Sequence, residues 1–102
     1  MNVKKQVSAD NKTITISIDD RFDFSLHQQF KEAYVDANES GTSFILDLSG
    51  TSYMDSSALG MILLLKDHAE KVTGQLKIVN PNEAVNKILE IAQFHRLMTI
   101  EL

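Results

Sequence analysis

Apolar and polar residues alternate strictly over one segment near the amino terminus. Between Thr13 and Ile18 every second residue is an isoleucine, and each residue between the isoleucines is a Thr or a Ser. A period of two residues is typical of a strand with one buried face. Asp10 and Asn11 directly before it favour a turn. We therefore predict a hairpin, with a partner strand over about residues 3–8.

Apolar residues recur at helical spacing in three later segments. The first helix is expected to begin near Ser25 and Gln28, which have the spacing of a capping box. The second helix covers about residues 55–73. The third is expected to begin at Asn80, with Asn80 as the capping residue and Pro81 as the first helical residue.

Short apolar segments rich in strand formers alternate with these helices. Residues 44–48 predict a central strand buried on both faces, a loop follows over residues 49–54, and residues 76–79 predict a further strand. The tail, residues 98–102, is expected to add a short edge strand. We therefore predict one α/β domain over residues 1–102, a mixed sheet of about four to five strands with about three to four α-helices packed on it. The pattern leaves open whether the helices cover one face of the sheet or both.

Composition and charge exclude several classes of function. The chain has 102 residues, a net charge of −4 and 10 scattered basic residues, so it lacks the basic patch that nucleic-acid binding requires. It has no cysteine, which excludes disulfides and thiolate metal sites. The longest apolar run, Ala58 to Leu65, is far shorter than the ~20 residues of a membrane span, and residues 1–6 lack the apolar stretch of a signal peptide. We expect a cytoplasmic protein with no membrane association, no metal and no cofactor.

The most informative segment joins the predicted central strand to the second helix through a loop rich in hydroxyl groups. In α/β folds, such junctions beyond the carboxyl end of a strand commonly carry function. Asp55 is well suited to cap the helix, but capping does not explain the two serines that follow it. On a helical projection, Ser56 lies opposite the apolar stripe and Ser57 lies on one flank. Ser56 is therefore the serine that we expect to be accessible.

The same projection places several apolar residues outward, beside that serine. Leu63 lies among the outward positions with Gly60, and Leu59 and Leu64 lie at their margins. Because exposed apolar patches often mark interfaces, we interpret these residues and Ser56 as a partner-binding surface. A phosphate on Ser56 would add about −1.5 to −2 charges at a helix amino terminus, which tolerates an anion. The pattern thus suggests a binding switch with little structural change.

At these residues the chain resembles the STAS domain, the fold of the anti-sigma-factor antagonists. The resemblance rests on Asp-Leu-Ser at residues 47–49 and on Met-Asp-Ser-Ser-Ala-Leu-Gly at residues 54–60, and it extends over nearly the whole chain in element order. It implies that Ser56 is the phosphorylation site, with Ser57 secondary, and that Asp55 is a helix cap and part of the surface that the kinase recognises. It also implies a serine kinase, often itself the anti-sigma factor, of the histidine-kinase-like ATPase superfamily, and a PPM-type serine phosphatase. The target is bound when Ser56 is unmodified and released after phosphorylation.

The chain departs from the family pattern at two places. Ala58 stands where many members have Gly, a change that favours the helix. Asp19, Asp20 and Arg21 form an expected acidic loop where many members have a Gly. We include them in the partner-binding surface because we expect this loop to lie near the binding edge and to influence the choice of partner. The chain also resembles stand-alone STAS regulators of biofilm formation or motility, so the output could be biofilm, motility or stress control.

Three other functions compete with this interpretation. An enzyme is disfavoured because His27, His68 and His95 are dispersed and no phosphate loop or nucleophile elbow is present. A STAS subunit of a lipid or solute transport complex remains the main alternative, and it would bind its ATPase partner whatever the state of Ser56. A small-ligand sensor ranks lowest. For the oligomeric state we expect a monomer or a weak dimer.

Overall fold

The computed structural model describes residues 2–102. The strands are β1 (Val3–Val7), β2 (Thr13–Ile18), β3 (Asp20–Phe22), β4 (Ser43–Asp47), β5 (Thr51–Met54), β6 (Leu76–Val79) and β7 (Thr99–Glu101). The helices are α1 (His27–Tyr34), α2 (Ser56–Lys71) and α3 (Glu83–Ile91), and short 3₁₀ turns lie at Phe24–Leu26 and Phe94–Arg96. The α/β architecture predicted from the sequence is confirmed, and the expected tail strand is present as β7.

The main sheet has five strands in the order β1-β2-β4-β6-β7, of which only β1 runs antiparallel to its neighbour. Each of the three helices connects a parallel strand to the adjacent one, and all three connections advance in the same direction across the sheet. Because such crossovers are right-handed, the three helices lie on one face. This answers the question that the hydrophobic pattern left open.

The other face of the main sheet carries no helix, and we call it the open face. β4 shows the consequence: Phe44 and Leu46 are buried in the core, whereas Ile45 and Asp47 are half-buried on the open face. The prediction that this strand is buried on both faces is therefore wrong. The prediction assumed helices on both faces, as is usual for parallel strands, whereas here all three helices lie on the same face.

Helix α2 packs on the sheet through the stripe that its spacing predicts. The residues of this stripe are all buried: Ala58, Ile62, Leu65, Ala69 and Val72. They join the inward side chains of β2, β4 and β6 in one hydrophobic cluster. Fully burying a side chain of the size of Ile62 or Leu65 stabilises the fold by about 1.5–3 kcal/mol, so the orientation of α2 is strongly determined.

The structure corrects two of the three predicted helix starts. The Asp23 carboxylate, not Ser25, caps the first helical segment by accepting the backbone N–H of Ser25. The third helix is capped by Asn82, whose side chain accepts the N–H of Val85 at 2.8 Å. Asn80 does not start it, because its backbone lies in the left-handed region with φ +57° and the helix begins only at Glu83. The backbone N–H of Asn80 donates instead to the Glu101 carbonyl in the edge strand at 2.7 Å.

A second, two-stranded sheet lies where the sequence predicted loops. β5 occupies most of the predicted loop over residues 49–54 and pairs in parallel with β3, which contains Asp20 and Arg21. The buried Thr51 hydroxyl donates to the Ile18 carbonyl at 2.7 Å and ties this sheet to the end of β2. The pair places the chain before α2 directly beside the chain before α1.

Candidate functional site

The amino terminus of α2 is organised by one carboxylate oxygen. Oδ1 of Asp55 accepts the backbone N–H groups of Ser57 and Ala58 at 3.0 and 3.2 Å and the Ser57 hydroxyl at 2.6 Å. The Asp55 amide in turn donates to the Phe22 carbonyl at 3.4 Å. The cap is therefore held in place by β3, and two of the free N–H groups at the helix start are satisfied.

The two serines after this cap have different environments. Ser57 is half-buried and its hydroxyl is engaged with Asp55. Ser56 is the first residue of α2 and is exposed. Within residues 2–102, the Ser56 hydroxyl neither donates nor accepts a hydrogen bond. The structure thus presents one free serine hydroxyl at the start of the helix, where it can be reached from solvent.

The outward face of α2 continues from Ser56 as an apolar strip. Gly60 is exposed one turn later, followed by Leu63 and Leu64, which are 38% and 51% exposed. Leu59 is half-buried and packs against the core, so it contributes only part of its side chain. We call Ser56, Gly60, Leu63 and Leu64 the α2 surface.

Gly60 has no internal reason to be a glycine. A Cβ atom placed there meets nothing within 4 Å, and its φ lies outside the left-handed region. Glycine inside a helix is less favourable than alanine by about 0.5–1 kcal/mol. The residue therefore lowers the stability of α2 without improving any contact within the chain.

The two acidic residues and the arginine assigned to the partner surface lie on and beside β3. Asp19 pairs with Lys4 at 3.3 Å, and Asp20 has φ +66° and accepts the Ser52 hydroxyl at 3.0 Å. Arg21 is also fixed, with its guanidinium carbon 4.7 Å from the centre of the Tyr53 ring. These residues therefore form a structured edge of the small sheet and not a loop.

Tyr53 is a surface residue that the sequence reasoning missed. It is 46% exposed, and it lies on β5 three positions before Ser56. The signal available in the sequence was a single aromatic residue within a segment of small hydroxyl residues. Beside it, Asp23 binds Arg21 at 3.4 Å, and hydrogen bonds from the hydroxyl and amide of Ser25 hold the pKa of the Asp23 carboxyl below its usual range.

Neither a metal centre nor a membrane span is found in the part of the chain that the structure describes. No group of three or more potential metal ligands from His, Cys, Asp and Glu comes together over residues 2–102. None of the helices in that range has the length and apolar character needed to cross a bilayer. What the site offers chemically is an accessible hydroxyl beside a capped helix start and an apolar strip.

Comparisons with known proteins agree with this description. The STAS domain model matches residues 3–102. A STAS-domain containing protein of Pseudomonas aeruginosa is 44% identical over 93 residues, which is 91% of this chain and 92% of that protein. The anti-sigma-B factor antagonist of Bacillus subtilis is 26% identical over 98% of this chain and 92% of its own length.

A solved structure shows the same fold. The anti-sigma factor antagonist SpoIIAA in its unphosphorylated form superposes with a TM-score of 0.80 at 22% identity, over 96% of this chain and 86% of that one. The structure of Bacillus SpoIIAA in its phosphorylated form gives a TM-score of 0.68 at 19% identity, over 96% of this chain and 89% of that one. The anti-sigma factor antagonists among these proteins are regulatory binding proteins and not enzymes, in agreement with the prediction of a non-enzymatic chain.

Proposed function

This chain belongs to the STAS domain family, and from that premise we propose that it is a partner-switching protein controlled at Ser56. The unmodified form binds a target protein through the α2 surface, and phosphorylation of Ser56 releases the target. A serine kinase of the histidine-kinase-like ATPase superfamily, acting also as the anti-sigma-type target, would add the phosphate. A PPM-type phosphatase would remove it.

The observation that carries the proposal is the contrast between the two serines. The Ser56 hydroxyl is exposed and free, whereas the Ser57 hydroxyl belongs to the cap of α2. To modify Ser57, a kinase would have to break its bond to Asp55 and disturb a cap worth about 0.5–2 kcal/mol. Modification of Ser56 requires no such opening, so Ser56 is the better substrate and Ser57 the secondary one.

A phosphate on Ser56 is compatible with the fold. It would bring about −1.5 to −2 charges to the first residue of α2, where unpaired N–H groups and the helix dipole favour an anion. The core stripe of α2 faces the opposite side and would not be touched. A partner packed over Gly60 and Leu63 would instead meet a new charge at its edge, which opposes binding.

Gly60 supports the assignment of this face as the contact surface. Because no atom of residues 2–102 fills the space beside it, we infer that the reason for glycine lies outside the chain. A glycine between Ser56 and Leu64 lets a partner's backbone approach the helix closely, which any side chain would prevent. The acidic edge with Asp19, Asp20 and Arg21 then adds charge to the selection of partner.

The similar proteins support the switch. Anti-sigma factor antagonists are named for opposing an anti-sigma factor, and SpoIIAA has been solved in unphosphorylated and phosphorylated forms. The same surface and chemistry in this chain would serve binding to an anti-sigma-type kinase. The downstream output, whether biofilm, motility or stress control, depends on the identity of that partner.

The proposal is tested by comparing wild type, Ser56→Ala, Ser56→Asp and Ser57→Ala as affinity baits in lysate of the source cells, with mass spectrometry of captured proteins. We expect Ser56→Ala to retain a partner that Ser56→Asp loses at least tenfold. We also expect the chain purified from those cells to carry phosphate on Ser56. The Ser57→Ala control should retain both the partner and the phosphate.

Equal capture of one partner by the wild type and both Ser56 variants would contradict the switch. That outcome would favour a constitutively bound subunit of a transport complex. Phosphate found only on Ser57 would contradict the assignment of the site.

A further inference from the structure

The groove between α1 and α2 lies on the same outer layer as the α2 surface and shares Leu64 with it. We propose that this groove binds an amphipathic helix of the partner protein whose flanks carry acidic side chains. The inference names the chemistry of the partner and rests on the proposed function only for the role of Ser56 in releasing it.

The groove is lined by residues of both helices. From α1 and the residue after it the lining includes His27, Lys31 and Val35, and from α2 it includes Leu64, Asp67 and Lys71. Both helices connect parallel strands on one face of the sheet, so they run in the same direction. With eight residues, α1 is ~12 Å long, which matches about two turns of a third helix.

Two apolar side chains of the groove lining are exposed. Leu64 is 51% and Val35 is 38% exposed. At the amino-terminal end of α1, Phe24 is 65% exposed and stacks on His27 with ring centres 4.9 Å apart. Exposed apolar side chains in a groove between two helices are covered by the apolar stripe of an amphipathic helix in helix-in-groove complexes.

Charge identifies the kind of helix that fits. Lys31 and Lys71 both line the groove, and within residues 2–102 neither forms an ion pair, whereas Lys4, Lys66 and Lys77 are each paired with an acid. Asp67 is the one acidic residue of the lining. The groove therefore carries a net positive charge on a chain whose overall charge is −4.

An acidic helix satisfies these features together. Its aliphatic stripe would cover Leu64 and Val35, and carboxylates on its two flanks would face Lys31 and Lys71. Opposite charges around an apolar contact raise the association rate and select against wrong partners. A nucleic acid fits poorly, because two lysines beside an aspartate give few phosphate contacts and the chain as a whole repels a polyanion.

The test uses a synthetic 18-residue amphipathic helical peptide with leucines on one stripe and glutamates on both flanks. A matched peptide carries lysines in place of the glutamates. Each peptide is titrated into the full chain labelled with ¹⁵N, and amide shifts are followed by NMR. The peptide is ~27 Å long as a helix, so it can reach from the groove past Gly60. We expect the acidic peptide to shift amides of α1 and of residues 60–71 in a saturable manner, with at least tenfold weaker binding of the basic peptide.

Charge reversal provides the decisive variant. The double variant Lys31→Glu, Lys71→Glu should invert the preference between the two peptides, whereas the matched surface control Lys5→Glu, Lys87→Glu should keep it. All forms are first checked for wild-type cooperative unfolding, and single reversals replace any double variant that fails. Equal binding of both peptides, shifts located elsewhere, or an unchanged preference in the Lys31, Lys71 variant would overturn the inference.

Failure of the groove and failure of the switch give different results. The charge preference of the peptides depends on the groove alone. The effect of Ser56→Asp on binding of the acidic peptide depends on the switch, and we expect weaker binding than in the wild type. If the groove prefers the acidic peptide but Ser56→Asp does not change its affinity, this inference would stand. That result would count against the proposed release by phosphorylation.

Discussion

Replacing Gly60 with alanine is expected to stabilise the chain and, at the same time, to lower its affinity for its partner. The two effects have separate causes. Within the chain, a methyl group at this position meets no atom within 4 Å, so only the helix propensity changes. In the complex, the same methyl group would stand between α2 and a partner that packs closely against it.

The stability gain can be estimated from general values. Glycine in a helix interior is less favourable than alanine by about 0.5–1 kcal/mol. A chain of this size has an unfolding entropy of about 0.2 kcal/mol/K near its Tm, so the melting temperature should rise by about 2–5 °C. Differential scanning calorimetry of wild type and Gly60→Ala measures this shift directly.

A second glycine provides the opposite control. A Cβ atom at Gly74 would overlap the backbone carbonyl oxygen of Thr42, so Gly74→Ala must displace the chain where α2 meets β6. We expect a clear loss of stability for Gly74→Ala, of a size typical for overpacking, about 1–3 kcal/mol. Together the two variants test whether the space beside each glycine determines the sign of the change in melting temperature.

Binding is then measured with the partner that the unmodified chain captures. Gly60→Ala should lower affinity at least fivefold in spite of its higher melting temperature, which excludes unfolding as the cause. A melting temperature at or below that of wild type would refute the reasoning about space at Gly60. A higher melting temperature with unchanged affinity would remove Gly60 from the binding surface.

Three further predictions address other parts of the structure. Thr51→Val should lower the free energy of unfolding by about 1–3 kcal/mol, because it leaves the buried Ile18 carbonyl without its donor; urea unfolding measures the change. Leu63→Glu should weaken partner binding with a cooperative transition retained, and loss of that transition would show that Leu63 is a core residue. The folded-state pKa of Asp23 is lowered, chiefly by Ser25, so its contribution to stability is present above the unfolded value of 3.8 and is lost as the pH falls through the folded pKa. The difference in urea midpoint between wild type and Asp23→Asn should therefore shrink on acidification from pH 6 to pH 2, and a constant difference would contradict it.

The parts of the fold that follow from periodicity were predictable. β2 was predicted from strict alternation, and the buried stripe of α2 from spacing that includes Ile62 and Leu65. Burial on one side defines the exposed side, so the outward position of Ser56 could be derived before any coordinates. These features depend on residues that are near in sequence, which is why one segment at a time was sufficient.

The features that depend on distant partners could not be derived in this way. β3 and β5 have three and four residues, too short and too polar for a period of two, and they form because each completes the other. The cap of α3 lies at Asn82 because the chain leaves the sheet through a left-handed residue, Asn80, whose backbone N–H is bonded to the edge strand. Lys31 and Lys71 are far apart in the sequence, so the groove that they share appears only when α1 and α2 pack side by side.

The groove and the switch become one mechanism when distances along α2 are considered. Gly60 lies four residues after Ser56, and Leu64 lies eight residues after it. These separations correspond to ~6 and ~12 Å along the helix axis. Electrostatic screening in physiological salt acts over ~8 Å, so a phosphate on Ser56 would strongly affect a partner lying over Gly60 and only weakly one confined to Leu64. An acidic partner that extends from the groove past Gly60 would be attracted by the lysines at one end and repelled by the phosphate at the other. The negative charge of the partner thus serves twice: the lysines of the groove select it, and the phosphate on Ser56 repels it.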